Sequence, residues 1–399
     1  MTHSSGFSTD GPSTGTGAGT LPAEQLVAHD EPETDVALWG VIFAGGIGSR
    51  FWPLATPARP KALLALVSEQ ALIQDAVGRL QPAIPPERVL ILTSRDIAPA
   101  IRSVTREVPD QNFLVEPRPL GTTAALAWAA QEIIRRAGPS AICCAVHADL
   151  AIEYPEEFRR TLRRAAEYSA RERSLVSIGI RPSRPETGFG YVMPGLALDS
   201  DAPLERGGIA LTRGFSEKPS EVDAAARIAD GALWHSGIVV GAAGTIVQEL
   251  RAHSGEVRDA LDALVAGNLP AFVGLVRSTS LERGLLERTE RLLVLLGDFG
   301  WDDVGTWASL RRARALDDNG NAASGQVQFV DADCNVVHAD QGQVVMYGVN
   351  KMLVVTLEGL TFVTTLDRAA DLNTLLDALP GSMRINPTGP PRSPSTGLQ

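Results

Sequence analysis

The chain has 399 residues, of which 44% are hydrophobic and 21% charged, and its formal net charge is −11 at pH 7. These proportions are typical of a globular protein with a large core, and the acidic balance argues against a nucleic-acid-binding face. No apolar run reaches the roughly 20 residues that a membrane-spanning helix needs. We therefore expect neither nucleic acid nor a membrane as a partner.

Short apolar runs alternate with amphipathic segments along the first part of the chain. The runs predict strands at Val41–Phe43, Val89–Thr93, Phe113–Val115, Ala141–Val146 and Leu175–Ile180. The segments between them predict helices at Ala71–Leu80, Thr122–Arg136 and Pro155–Arg171. Strands that alternate with helices indicate an α/β fold with a Rossmann-like, mostly parallel sheet covered on both faces.

Weaker patterns follow, and the texture changes near Gly325. Before it we predict strands at Tyr191–Met193, Thr212–Phe215 and Ile238–Val240, and helices at Glu221–Ala229, Val257–Val265, Leu281–Thr289 and Trp307–Leu316. After it come short runs at Val327–Val330, Asn335–His338, Val344–Tyr347, Met352–Leu357 and Thr361–Thr365, and a helical pattern at Ala370–Leu379. These runs predict a small all-β domain, and their even spacing also fits β-helix-like turns.

Composition divides the chain into four parts. Residues 1–36 are rich in Ser, Thr and Gly, and they predict a disordered tail that lacks the features of a signal peptide. Residues 37–318 form the predicted α/β domain, 319–380 the β domain and 381–399 a Pro-rich tail. The three cysteines, Cys143, Cys144 and Cys334, have no metal-ligand spacing. They are expected to be buried free thiols, and their odd number suits the cytoplasm.

A glycine-rich loop, Ala44-Gly45-Gly46-Ile47-Gly48-Ser49-Arg50, follows the first predicted strand. Such loops bind phosphate, because backbone N–H groups point at the anion and glycine allows close approach. The loop does not match a dinucleotide fingerprint, since Phe51 stands at the last glycine position, and it lacks the Lys-Ser or Lys-Thr of a P-loop. From the residue types alone, a phosphate loop and a tight turn without a ligand both remain open.

Lysine is rare in this chain: Lys61, Lys218 and Lys351 are its only lysines among 36 basic residues. Lysines that remain in such a background mark positions that require a compact ammonium, or they remain by chance. Lys61 lies just after the glycine loop. Lys218 follows Glu217, where a surface ion pair is the alternative to a binding role, and we expect Lys351 to be structural or on the surface.

Several motifs occur together in a fixed order: Gly45-Gly46-x-Gly-x-Arg50, Arg59-Pro60-Lys61, Glu116-Pro117, Arg184-Pro-Glu-Thr-Gly-Phe-Gly-Tyr191, Glu217-Lys218-Pro219 and Trp301-Asp-Asp-Val-Gly-Thr-Trp307. In this combination the chain resembles the sugar-nucleotide pyrophosphorylases, and among them the mannose-1-phosphate guanylyltransferases, over roughly Leu38 to Leu379. The resemblance implies a cytoplasmic enzyme that makes GDP-mannose and pyrophosphate from GTP and mannose-1-phosphate, with Mg²⁺ as cofactor.

The resemblance also implies roles for individual residues. Catalytic roles fall on Arg50, Lys61 and Lys218. Nucleotide binding falls on Ala44, Gly45, Gly46, Gly48, Ser49, Arg50, Glu116, Gly121 and Thr122. Sugar-phosphate binding falls on Gly188, Glu217, Lys218 and His235. Metal binding falls on Asp149 and Asp303. Asp149 also follows a buried strand at the edge where open α/β sheets bind ligands, and carboxylates suit Mg²⁺. By residue type alone, each Asp could instead cap a helix or form a turn.

The chain departs from the family pattern mainly where sugar and base would be recognised. His235 stands where an Asn is expected, Ala62 follows Lys61 in place of a Gln, and Val146-His147-Ala148-Asp149-Leu150 replaces a Pro-Ala-Asp-His block. Two alternatives therefore stay open. One is the same chemistry with another hexose-1-phosphate or nucleotide, and the other is a non-catalytic paralogue that binds a sugar nucleotide and regulates a partner. The oligomeric state is also open, with a homodimer as one alternative.

Overall fold

The computed structural model describes residues 37–198, 204, 207–385 and 387. The predicted tail at residues 1–36 lies outside this range, as does most of the predicted tail at 381–399. The strands are β1 Leu38–Phe43, β2 Val89–Ser94, β3 Phe113–Glu116, β4 Ile142–His147, β5 Leu150–Ile152, β6 Leu175–Ile180, β7 Gly190–Ala197, β8 Ile209–Glu217, β9 Leu233–Ala242, β10 Leu292–Leu296, β11 Trp301–Asp303, β12 Ala322–Val330, β13 Val336–Tyr347, β14 Met352–Leu357 and β15 Leu360–Thr365.

The helices lie mainly between the strands of the first 320 residues. They are α1 Leu72–Leu80, α2 Ala98–Val104, α3 Thr122–Ala137, α4 Pro155–Glu172, α5 Glu221–Ala229, α6 Ala243–His253, α7 Leu261–Val265, α8 Leu269–Leu275, α9 Trp307–Ala313, α10 Leu366–Ala369, α11 Asn373–Ala378 and α12 Gly381–Ile385. Within the described residues, none of these helices is long and apolar enough to cross a membrane.

The central sheet has nine strands in the order β3-β2-β1-β4-β9-β6-β10-β8-β7. The first four strands pair in parallel, as do β6 and β10. Strands β8 and β9 are antiparallel to all their neighbours, so seven strands run one way and two run against them. The predicted α/β fold is confirmed, but the sheet is more mixed than expected. The reason is that β7 and β8 form an antiparallel ribbon that reverses the chain, and β9 continues in the reversed direction.

Alternation along the central strands divides the core into two layers. Val41 and Cys143 belong to the apolar layer on the α3 and α6 side, whereas their neighbours Ile42 and Cys144 belong to the layer on the α1 and α4 side. Successive side chains of a strand point to opposite faces, so a buried sheet requires apolar residues at consecutive positions. The two adjacent cysteines are therefore buried free thiols, as expected, while Cys334 is only partly buried.

The region after residue 320 forms a four-stranded sheet in the order β12-β13-β14-β15, which confirms the predicted small β region. Its first three strands pair in parallel and β15 pairs antiparallel with β14. Val336 and Leu353 of this sheet share a core with Phe51, Trp52 and Leu54. The sheet thus supports the segment that follows the glycine loop. The β-helix-like turns and the domain boundary at 318/319 stay predictions.

Several predicted elements differ from the structure. The helix expected at Ala370–Leu379 is shorter than predicted, because α11 spans only Asn373–Ala378. A separate short helix, α10, precedes it at Leu366–Ala369. The helix expected at Leu281–Thr289 is reduced to a π-helical turn, Glu282–Leu286. Strand β10 was not predicted, because its five consecutive aliphatic residues show no alternation that distinguishes a buried strand from a buried helix.

Candidate active site

Two adjoining cavities open at the carboxyl ends of the central strands. The larger cavity, about 550 Å³, is lined by all nine residues predicted to bind nucleotide. The smaller cavity, about 300 Å³, is lined by all four predicted to bind the sugar phosphate. The two cavities share four residues: Thr122, His147, Asp149 and Asp303. The structure thus brings together the residues that the sequence singled out, while their individual roles stay predictions.

The glycine loop and Lys61 form one local unit. Gly48 has φ +79°, and a methyl group added there would lie 2.4 Å from Cβ of Lys61. The backbone N–H of Lys61 donates to the carbonyl of Ile47 at 2.9 Å. Only glycine can adopt the left-handed conformation without strain and also leave room for Cβ of Lys61 at this distance. The position of the lysine is therefore fixed by the loop that precedes it.

The Lys61 side chain is only 9% exposed and points at the junction of the two cavities. Its Nζ lies 2.5 Å from Oδ2 of Asp149 and 5.3 Å from the centroid of the Phe51 ring. Lys351 is exposed and lines neither cavity, and Lys218 is about half exposed at the smaller one. The three lysines therefore occupy three different environments.

Asp149 and Asp303 are held together by the small β5–β11 ladder, in which Asp303 pairs with Leu150, the neighbour of Asp149. Burial and the negative charge of Asp149 raise the pKa of Asp303 to about 6. Burial would also raise the pKa of Asp149, but Lys61 and His147 outweigh it and hold that pKa below its ordinary value. Two carboxylates with this mutual repulsion fit a divalent cation that completes its shell with phosphate and water oxygens. In the described range no third His, Cys, Asp or Glu joins them.

Glu217 and Lys218 form the outer wall of the smaller cavity. The Glu217 side chain is 6% exposed, and its Oε1 accepts a hydrogen bond from Nζ of Lys218 at 2.8 Å. Burial raises the pKa of Glu217 despite that hydrogen bond, with Glu282 and Glu287 adding to the rise. A methyl group at Gly190 would lie 2.9 Å from Oε2 of Glu217, so glycine leaves room for the carboxylate. The arrangement offers an acceptor and a cation to a polar anionic ligand.

His235 is brought into the smaller cavity by a bulge in β9. The β6–β9 register shifts between Ser177 and Gly179, and Gly237 has φ +76°. The ring nitrogen Nδ1 of His235 lies 2.8 Å from Oγ of Ser177, and its Nε2 lies 3.9 Å from Oε1 of Glu282. Burial lowers the pKa of His235 to about 4, although the Glu282 carboxylate opposes this effect. The imidazole is therefore neutral near pH 7.

The larger cavity contains a further buried acid, Glu116, at the end of β3. Burial raises its pKa to about 7, against the effects of a backbone hydrogen bond from Leu120 and the charge of Arg118. A methyl group at Gly45 would lie 3.9 Å from Oε2 of Glu116, so this carboxyl group faces the glycine loop. It changes charge near neutral pH in the cavity predicted for the nucleotide.

Two titratable residues of the cavities have no role in the sequence analysis. His147 lines both cavities, 5.3 Å from the Phe43 ring, and its place two residues before Asp149 at a strand end was a usable signal. Glu282 lines the smaller cavity, and no local motif marks it. Its segment is fixed by long-range hydrogen bonds, since the N–H of Leu281 donates to Oγ1 of Thr122 at 2.7 Å.

Comparison with known proteins agrees with this geometry. The family model described as nucleotidyl transferase matches residues 39–320. A Sinorhizobium fredii (strain NBRC 101917 / NGR234) protein named mannose-1-phosphate guanylyltransferase is 30% identical over 350 residues, which cover 85% of this chain and 67% of the relative. The alginate biosynthesis protein AlgA of Pseudomonas putida (strain KT2440) is 28% identical over 351 residues, with 85% and 71% covered.

Solved structures show the same similarity. A Thermus thermophilus protein described as mannose-1-phosphate geranyltransferase superimposes with a TM-score of 0.78 at 30% identity, over 86% of this chain and 99% of that one. A Helicobacter pylori protein described as mannose-6-phosphate isomerase gives a TM-score of 0.54 at 17% identity, over 67% of this chain and 100% of that one. The second similarity concerns the fold alone.

Proposed function

This chain belongs to the nucleotidyl transferase family, and we propose that it forms GDP-mannose and pyrophosphate from GTP and mannose-1-phosphate. The observation that carries the proposal is the junction of the two cavities. The residues suited to a triphosphate and those suited to a sugar phosphate meet at Asp149 and Asp303, which line both cavities. Lys61 is ion-paired with Asp149 at this junction. The names of the relatives support guanylyl transfer to mannose-1-phosphate.

In the proposed reaction, a phosphate oxygen of the sugar-1-phosphate attacks the α-phosphorus of GTP. A new P–O bond forms, and the bond between the α-phosphorus and the bridging oxygen of pyrophosphate breaks. The attacking oxygen is already anionic, so no strong general base is required. The catalytic problem is to bring two anions together and to stabilise charge in the transition state.

The residues of the larger cavity suit the triphosphate. The backbone N–H groups of the Gly45–Ser49 loop bind phosphate oxygens, and Arg50 contacts the leaving phosphates. Lys61 neutralises an oxygen of the reacting phosphate from its buried position beside Asp149. Asp149 and Asp303 would hold Mg²⁺, which supplies further positive charge to the phosphate oxygens when bound.

The residues of the smaller cavity suit the acceptor substrate. Glu217 accepts hydrogen bonds from sugar hydroxyls, and the Lys218 ammonium pairs with the sugar phosphate. Because Lys218 is about half exposed, its ammonium can exchange Glu217 for the incoming anion at small cost. The exposed Gly188 at the mouth of the cavity lets backbone groups approach the sugar.

The test offers the purified protein a panel of nucleoside triphosphates and hexose-1-phosphates with Mg²⁺ and measures released pyrophosphate. We expect release to be fastest with GTP and mannose-1-phosphate. A different preferred pair would favour the same chemistry with another hexose-1-phosphate or nucleotide. His235, which replaces the family Asn, is the residue that points to a different sugar. No release from any pair would overturn the proposed reaction and favour a regulatory paralogue. A cytoplasmic location and a homodimer stay predictions of the sequence.

A further inference from the structure

The smaller cavity contains a donor–acceptor pair that is not satisfied within the protein. His235 and Glu282 both line it, and their side chains are 3% and 15% exposed. The His235 Nε2 atom is buried and has no hydrogen-bond partner among the described residues. Buried polar nitrogens are almost always paired, so this one indicates a missing partner.

The distance between the two groups suggests what that partner is. Nε2 of His235 and Oε1 of Glu282 are 3.9 Å apart, too far for a direct hydrogen bond. A single oxygen atom placed about 2.8 Å from each would make an angle of about 90° between them, which suits a hydroxyl group.

The chemistry of the two side chains is also complementary. The Ser177 hydroxyl lies 2.8 Å from Nδ1 of His235 and can donate to it, which leaves the hydrogen of the neutral ring on Nε2. The facing carboxylate favours this tautomer. The opposing Glu282 presents a carboxylate, whose oxygens only accept hydrogen bonds. One side therefore donates and the other accepts.

We propose that His235 and Glu282 together bind one hydroxyl group of the sugar phosphate, with Nε2–H donating to the hydroxyl oxygen and the Glu282 carboxylate accepting its hydrogen. This inference rests on the proposed function, because it requires a sugar phosphate in the smaller cavity. It makes Glu282 a specificity-determining residue. A sugar phosphate without that hydroxyl would leave two buried polar groups unpaired, so the site should discriminate strongly against it.

The experiment compares the best hexose-1-phosphate of the activity panel with its 2-, 3-, 4- and 6-deoxy analogues. In the wild type, one analogue should lose about 100-fold or more in kcat/KM. In Glu282→Ala that loss should shrink to below about 10-fold, while the losses for the other analogues stay the same. KM for the sugar phosphate should rise about 10- to 100-fold and KM for the nucleotide should not change.

Two further variants and one control guard the conclusion. Glu282→Gln keeps the shape and an acceptor, so it should weaken discrimination against the same analogue less than Glu282→Ala does. His235→Asn should also alter discrimination against that analogue. Glu290→Gln removes an exposed carboxylate nearby in the chain and should leave all rates unchanged. Thermal melts check folding, and Glu282→Gln carries the test if Glu282→Ala does not fold.

The outcomes separate the inference from the proposed function. If wild-type protein is active but Glu282 variants change discrimination against all four analogues equally, or change KM for the nucleotide as much as for the sugar, the inference is wrong and the proposed function stands. If the wild-type protein releases no pyrophosphate with any of the hexose-1-phosphates, both the inference and the proposed function are overturned. Loss of discrimination confined to one analogue supports both.

Discussion

Replacement of Lys61 by arginine tests whether the active site needs a compact ammonium. Lys61 lies behind the glycine loop, with its stem against Gly48 and its Nζ 2.5 Å from Oδ2 of Asp149. The side chain is only 9% exposed, so the surroundings leave a longer, planar guanidinium little room to turn aside. The matched control is Lys351→Arg, at an exposed position whose backbone N–H and carbonyl form hydrogen bonds.

The expected magnitude follows from the geometry. A guanidinium reaches about 1 Å further than an ammonium, and a displacement of that size from the productive geometry costs about 100-fold in rate. We expect Lys61→Arg to lose about that much kcat, nearly as much as Lys61→Ala. The alanine variant also leaves Asp149 without its ion-pair partner, so its free energy of unfolding should fall by about 1–3 kcal/mol.

The assay is pyrophosphate release under saturating GTP and mannose-1-phosphate, with melting temperatures of all variants measured in parallel. Lys351→Arg should match the wild type in kcat, KM and melting temperature. Lys218→Arg should raise KM for the sugar phosphate more than for the nucleotide. Wild-type kcat and KM in a folded Lys61→Arg protein would refute the argument that a compact ammonium is required.

Three further predictions concern the metal site, the loop and a buried imidazole. Asp149→Asn and Asp303→Asn should each lower kcat about 100-fold or more, and the loss in the double variant should be far smaller than the product of the two single losses. A double-variant loss equal to that product would mean that the carboxylates share no ion. Gly48→Ala should lower the free energy of unfolding by about 2 kcal/mol, because φ is +79° and the new methyl lies 2.4 Å from a side-chain carbon. Gly46→Ala, which meets nothing within 4 Å, should leave the melting temperature unchanged. Between pH 7 and pH 5 the free energy of unfolding, measured in urea, should fall by about 2 kcal/mol more in the wild type than in His235→Asn. The reason is that the native pKa of His235 is about 4, so only the unfolded chain takes up a proton at this site over that range. Equal losses in the two proteins would contradict that pKa.

The strands around the glycine loop could be predicted from the sequence because their signal is local. Strand β6 at Leu175–Ile180 and helix α5 at Glu221–Ala229 match the predicted bounds, and the predicted start of α3 at Thr122 is correct. Apolar periodicity and turn residues act within a few positions of the chain, so they can be read without knowledge of contacts. Most of the titratable residues that line the two cavities were likewise found from local motifs, whereas His147 and Glu282 were not.

The unpredicted features depend on contacts between distant segments. The reversed direction of β9 brings its bulge beside β6, and this pairing places His235 next to Ser177. Glu282 reaches the same cavity because Leu281 is hydrogen-bonded to Thr122, 159 positions earlier in the chain. Burial then lowers the pKa of His235, although its sequence neighbours give no sign of this. The sequence alone therefore determined the loop, the main strands and the candidate reacting groups, whereas strand order and burial determined which side chains meet across the smaller cavity.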